Sequence, residues 1–87
     1  MTYKKRSDLA MKLIGDQLVI IDSKVGRAVH RLNEVGVLIW ESLDKLSVDQ
    51  IVDVLIEEFE VDADEARKDL LSFITELEAL HLIEKST

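Results

Sequence analysis

The stretch that decides the fold is residues 30–43, His30-Arg31-Leu32-Asn33-Glu34-Val35-Gly36-Val37-Leu38-Ile39-Trp40-Glu41-Ser42-Leu43. It predicts a β-strand that runs directly into an amphipathic helix. Asn33 takes the position of a helix N-cap, where its side-chain oxygen can accept from a free N–H of the first turn. Glu34 places a carboxylate near the positive end of the helix dipole. Apolar residues then recur at helical spacing. A junction this short fixes the angle between the sheet and the helix.

Length and composition predict one domain over residues 1–87. The hydrophobic content of 47% argues against disorder, and the lack of cysteine excludes disulfides and thiolate zinc sites. The basic residues at 1–8 are followed by no signal-peptide core, and no apolar run has the length of a membrane span. We therefore expect a cytoplasmic protein without a membrane partner, in which residues 1–8 are flexible.

Three segments upstream of the junction predict an antiparallel meander. Residues 9–13 alternate, residues 18–21 are a short apolar run, and residues 27–32 alternate again. The turn signal Gly15-Asp16 separates the first two. The third strand carries Ala28, His30 and Leu32 on one face and Arg27, Val29 and Arg31 on the other. This strand lies at the edge of the sheet and presents unpaired backbone groups.

Three helices follow, so the predicted class is α+β, similar to a winged helix-turn-helix. The first helix covers about 34–44, and Ser47 with Gln50 forms a capping box for the second. Asp62 or Asp64 caps the third.

The third helix carries two apolar stripes. Its predicted core face consists of Ala66, Leu70, Phe73, Leu77 and Leu80. A second stripe, displaced by roughly 100°, consists of Arg67, Leu71, Ile74, Glu78 and His81. Leu71 and Ile74 are apolar beyond what one core face needs. The second stripe is therefore either the border of a wide core face or one wall of a groove.

The net charge of −7 is unevenly distributed. Residues 1–33 carry seven Lys or Arg against three Asp, a net of +4, whereas residues 34–87 carry four against fifteen acids, a net of −11. The acids are consistent with solvated helix faces, and an anionic partner would dock on the N-terminal part. DNA binding is disfavoured, because the third helix offers only Arg67 and Lys68 to phosphates.

Catalysis has little support in the sequence. The two histidines, His30 and His81, are far apart along the chain, and neither has a nucleophile or a glycine-rich phosphate loop near it. The acids lack the spacing of a calcium loop. We expect a protein that is not an enzyme and holds no metal or cofactor. An exposed strand beside an apolar helix instead favours a module that binds a peptide by strand addition.

The run from His30 to Asp44 resembles the hallmark of the PqqD-like family, small peptide chaperones named for pyrroloquinoline quinone biosynthesis. Later features are similar too, namely Ser47 and Ile51 at a helix start, Asp69, Phe73, Ile74 and Leu77 in the third helix, and the closing Leu82-Ile83. Two positions depart from the family pattern. Lys45 and His81 each stand where the family often has glycine.

The resemblance implies a winged-helix-like fold of three strands and three helices. It also implies a recognition element that binds the leader of a ribosomally made precursor peptide as an added strand. The modifying enzyme to which the leader is delivered is often a radical S-adenosylmethionine enzyme. The implied peptide-binding residues are Arg27, Ala28, Val29, His30, Arg31 and Leu32 of the strand with Arg67, Leu71 and Ile74 of the helix.

Other functions stay open at this point. One is a winged-helix DNA-binding regulator or protein–protein adaptor. Another is a structural homodimer through the exposed third strand, and we expect a monomer or a weak homodimer.

Overall fold

The computed structural model describes residues 2–24 and 28–85. Its elements, in chain order, are β1 (Tyr3–Lys5), β2 (Ala10–Ile14), β3 (Gln17–Asp22), β4 (Ala28–Leu32), α1 (Glu34–Ser42), α2 (Val48–Phe59), α3 (Ala63–Ala79) and β5 (Ile83–Lys85). The predicted α+β class, with a three-stranded antiparallel sheet followed by three helices, is confirmed.

The larger sheet has the strand order β2-β3-β4 and is antiparallel throughout. Its first turn joins Ile14 to Gln17 through Gly15-Asp16. Gly15 has a φ of 64°, and glycine suits a two-residue hairpin turn that needs a positive φ at its first central position. Leu18 of β3 lies opposite Leu32 of β4, so both point to the same face. That face is buried against the helices.

A second, two-stranded sheet pairs β1 with β5. Tyr3 is buried, and its N–H donates to the carbonyl of Leu43 over 2.9 Å. Within the segment expected to be flexible, Tyr3–Lys5 therefore form a strand. Leu82 and Ile83, for which the sequence indicated no periodicity, are buried beside this sheet. Pairing between residues some eighty positions apart leaves no local pattern in the sequence.

The helix starts follow the predicted caps. The side-chain oxygen of Asn33 accepts from the N–H of Gly36 over 2.9 Å. Ser47 and Gln50 form the reciprocal capping box. Asp62 takes the N-cap position of α3, but its side chain makes no capping hydrogen bond.

The core lies between the larger sheet and the three helices. The buried apolar side chains are Tyr3, Leu9, Leu18, Ile20, Leu32, Ile39, Trp40, Leu43, Ile51, Val52, Leu55, Ala66, Leu70, Ile74, Leu77, Leu82 and Ile83. Leu80, predicted to lie on the core face of α3, is exposed. It is the C-cap residue of α3, where the chain leaves the helix.

Candidate functional site

The candidate site begins at the open edge of β4. One edge of this strand pairs with β3, and no other strand of the described residues pairs with the opposite edge. Val29 is 54% exposed and Arg31 is also exposed, whereas Leu32 points into the core. Ala28 and His30 are half-buried. The free edge therefore offers backbone N–H and C=O groups to a further strand.

A groove runs from the end of β4 to α3 and encloses about 450 Å³. Three elements supply its walls, because β4 turns into α1 within one residue and Phe73 of α3 lies beside Gly36 in the first turn of α1. The lining residues are Arg31, Leu32, Asn33, Val35, Gly36, Ile39, Asp69 and Phe73. This lining combines one cation, one anion and an aromatic ring in a mostly apolar wall.

Gly36 allows the turn and α3 to approach this closely. A Cβ atom at this position would lie 3.2 Å from the Cβ of Leu32 and 3.4 Å from the Cζ of Phe73. The contact with Leu32 is tight and would require a shift of a few tenths of an ångström, whereas the distance to Phe73 is an ordinary van der Waals contact. The ring of Phe73 thus lies beside Gly36, close to the end of β4.

A smaller cavity of about 120 Å³ adjoins the groove. The two share Val35, Ile39 and Asp69 as lining residues. The rest of the cavity is formed by Leu55, Phe59, Val61, Ala66 and Leu70, all apolar. The groove therefore continues into an apolar space between the three helices.

The three α3 residues predicted to bind the peptide lie outside the lining of this groove. Arg67 points to α2, where it forms an ion pair with Asp49. Leu71 is 44% exposed but does not line the groove. Ile74 is 2% exposed and belongs to the core. None of the three predicted helix residues thus lines the groove beside β4.

Helix geometry explains why these three residues lie apart from the groove. At 100° per residue, with the core face centred near Leu70, Asp69 and Phe73 lie on one flank of α3. Arg67 and Leu71 lie on the opposite flank, about 160° away. The sequence indicated two flanks but not which of them faces β4. Asp69 and Phe73 were missed as groove residues because Phe73 also fits the core stripe.

The strand residues predicted for the site are placed as expected, with one exception. Ala28, Val29, His30, Arg31 and Leu32 make up β4. Arg27 lies outside the described residues.

A network of ion pairs holds the end of β3 that precedes the turn into β4. Asp22 is 2% exposed and accepts from Arg6 over 2.7 and 3.2 Å. Arg6 also forms an ion pair with Asp8, which pairs with Lys24 as well. Hydrogen bonds from Arg6 lower the pKa of Asp22 although burial opposes this, and Arg6 and Lys24 hold the pKa of Asp8 well below its usual range.

Residues 2–24 and 28–85 contain no group of His, Cys, Asp or Glu side chains arranged to hold a metal ion. No helix in these ranges is long and apolar enough to cross a membrane.

Comparison with known proteins adds to this geometry. The family model of coenzyme PQQ synthesis protein D (PqqD) matches residues 17–83. A solved structure of TbiB1 in complex with the TbiA(beta) leader peptide is 26% identical, with a TM-score of 0.83, over 97% of this chain and 98% of that chain. A lasso peptide synthetase B1 complexed with its leader peptide is 21% identical and shares the fold, with a TM-score of 0.85, over 98% and 100% of the two chains. No curated protein matches the chain.

Proposed function

Because this chain belongs to the PqqD family, we propose that it is a non-catalytic chaperone that binds the leader of a ribosomally made precursor peptide. The leader adds as a strand to the free edge of β4 and lies in the groove between β4 and α3. In this proposal residues 1–87 act as a single recognition domain. The modifying enzyme that receives the leader is a separate partner, for example a radical S-adenosylmethionine enzyme.

The observation that carries this proposal is the edge of β4, unpaired in the described residues, beside a mostly apolar groove. Strand addition gives affinity through main-chain hydrogen bonds and selectivity through side-chain pockets. The edge of β4 offers the main-chain hydrogen bonds. The groove with its adjoining cavity offers the side-chain pockets. TbiB1 and the lasso peptide synthetase B1, both of similar fold, were solved with leader peptides bound.

The groove residues favour binding over catalysis. Its polar side chains are Arg31, Asn33 and Asp69, and Asn33 is already used as the cap of α1. A nucleophile or general base needs a partner within hydrogen-bond reach. Neither Arg31 nor Asp69 makes such a contact in the described residues.

The sheet has a second open edge at β2. Met11, Leu13 and Ile14 on this strand are exposed, but no residue of β2 lines the groove. Lys12 in the middle of β2 places a charge there, which is a common protection against unwanted strand pairing. We therefore place the leader on β4.

The test is a titration of the ¹⁵N-labelled protein with synthetic leader segments of the precursor peptides encoded beside its gene. Amide shifts should concentrate at Val29 to Asn33 and around Phe73, because these residues border the added strand. Phe73→Ala should weaken binding at least several-fold, since it removes the aromatic wall.

Leu71→Asp is the matched control, because it changes an exposed residue on the opposite flank of α3. It should leave the affinity within about two-fold. Circular dichroism and the fluorescence of Trp40 establish that both variants are folded. Shifts centred on α2 or β2, or equal losses for both variants, would contradict the proposed position of the leader.

A further inference from the structure

Two opposite charges line the groove, and neither has a partner among the described residues. Arg31 stands on the β4 side and Asp69 on the α3 side. Neither makes an ion pair or a side-chain hydrogen bond in the described residues. Other cations near the surface do have such partners, for example Arg6 with Asp22 and Arg67 with Asp49. The charges of Arg31 and Asp69 are therefore available to a guest.

Asp69 also stands where the groove opens into the apolar cavity. Among the described residues that line that cavity it is the one with a charge, and the others are Val35, Ile39, Leu55, Phe59, Val61, Ala66 and Leu70. Apolar walls beside a carboxylate suit a side chain that has an aliphatic stem and a cationic end. The stems of Lys and Arg pack on apolar surface while their charged ends reach a polar partner.

We propose that Asp69 is a specificity-determining residue of the groove, which selects guest peptides with a Lys or Arg at the position facing the cavity mouth. This inference rests on the proposed function, because it concerns the same groove and its peptide. Arg31, on the opposite wall, disfavours a second cation beside it and favours an acidic or neutral residue there. The bound peptide thus presents a Lys or Arg towards Asp69 and an acidic or neutral residue towards Arg31.

The expected size of the effect follows from the exposure of Asp69. An exposed ion pair contributes about 0.2–1 kcal/mol, so the loss of the pair should weaken binding at most about five-fold. Reversal of the charge adds repulsion and should cost more, about ten-fold. Both effects should shrink in 1 M salt, where the screening length is about 3 Å.

The experiment is a selection from a display library of random linear peptides, run in parallel on three proteins. Wild type should enrich peptides with Lys or Arg at a fixed spacing from an apolar residue. Asp69→Lys should enrich Asp or Glu at the same position. Asp53→Lys, which makes the same charge change on an exposed site of α2 outside the groove, should give the wild-type pattern.

A charge-swap measurement then tests direct contact. The best wild-type peptide and its Lys→Glu or Arg→Glu version are titrated against wild type and Asp69→Lys by fluorescence anisotropy. Each mismatched combination should bind about ten-fold more weakly, and the doubly reversed combination should recover most of the loss. Asp53→Lys, which has the same net charge as Asp69→Lys, is titrated in parallel and should not recover binding of the reversed peptide.

The outcomes separate the two proposals. Enriched peptides that map to the groove but show no cation preference, or the same preference with Asp69→Lys, would overturn the role of Asp69 and leave the proposed function intact. A selection in which no peptide is enriched over an unrelated control protein would overturn both. Circular dichroism of the two variants establishes that a lost preference does not arise from unfolding.

Discussion

At the scale of the residue, Asp22 is the charged side chain whose environment matters most for stability. It is 2% exposed, accepts two hydrogen bonds from Arg6 and accepts a third from the N–H of Lys24. A buried carboxylate is tolerated only when such partners compensate for lost hydration. Asp22 lies at the last position of β3, so this network holds the strand end from which the chain turns towards β4.

The lowered pKa of Asp22 predicts a loss of stability in acid. A carboxyl with a lower pKa in the folded state stabilises it above the unfolded pKa of about 3.9, and this contribution disappears as the pH falls through the folded pKa. Asp22→Asn should therefore unfold at lower urea than wild type near neutral pH. The difference in the free energy of unfolding between wild type and Asp22→Asn should narrow as the pH falls below about 4. Urea titrations followed by the fluorescence of Trp40 measure both.

Asp53→Asn is the control, because Asp53 is exposed and makes no ion pair in the described residues. Its urea midpoint should change with pH in the same way as that of wild type. A gap between wild type and Asp22→Asn that stays constant down to about pH 2 would show that the ion pair with Arg6 does not stabilise the fold.

At the scale of the element, the ends of α2 and α3 carry residues in the left-handed conformation. Glu60 has a φ of 51° and His81 a φ of 59°. After α3 the N–H of His81 donates to the carbonyl of Glu78 and that of Leu82 to the carbonyl of Leu77, a pattern in which glycine is usual. The sequence had indicated His81 as a departure from a family glycine, and the backbone supplies the physical reason for that glycine.

His81→Gly should raise the free energy of unfolding by about 0.5–1 kcal/mol, because glycine has no Cβ to oppose a positive φ. Thermal and urea unfolding measure this gain. His81→Ala is the matched control, since it removes the imidazole but keeps the Cβ, and it should give no gain. Gly15→Ala should lower the free energy of unfolding, because its φ of 64° strains a residue with a Cβ even though the space around it is open. Equal stability of the two His81 variants would contradict this explanation.

The elements also show what the sequence can and cannot predict. The cap at Asn33 and the capping box at Ser47 were predicted correctly, because a cap depends on residues three positions apart. The class and the order of β2, β3, β4 and the three helices followed from periodicity, whereas β1 and β5 were not predicted. The sequence could not tell which flank of α3 lines the groove beside β4, since a helix with apolar residues on two stripes fits its neighbours either way round. Only tertiary packing, through Gly36 and Phe73, decides between them.

At the scale of the whole molecule, the N-terminal strand joins elements that are distant in sequence. Tyr3 is buried between α1 and β5, and Lys5 lies over the ring of Trp40 at 5.4 Å from its centre. Lys5 also forms an ion pair with Asp44 over 3.7 Å. Burial is the main cause of the raised pKa of Tyr3. β1 therefore closes the core at the point where the helices end.

Removal of residues 1–5 should cost about 3 kcal/mol or more, the range for deletion of a buried aromatic side chain. It should also accelerate hydrogen exchange at the amides of Ile83–Lys85, because β5 loses its partner strand. Lys4→Ala is the control, since this residue is exposed in the same strand, and it should have little effect. A truncated protein with wild-type stability and exchange would show that β1 does not contribute to the core.

The pairing of β1 with β5 brings Tyr3 opposite Lys85, and this has a consequence for assembly. The two ends of the described chain therefore lie side by side in the β1–β5 sheet. Neither of these strands lines the groove. The domain can thus be inserted into a surface loop of a larger protein, or linked to one by either terminus, without disturbing the free edge of β4 or the groove beside it. A short tether to an enzyme would raise the effective concentration of the captured peptide at that enzyme, whichever end carries it.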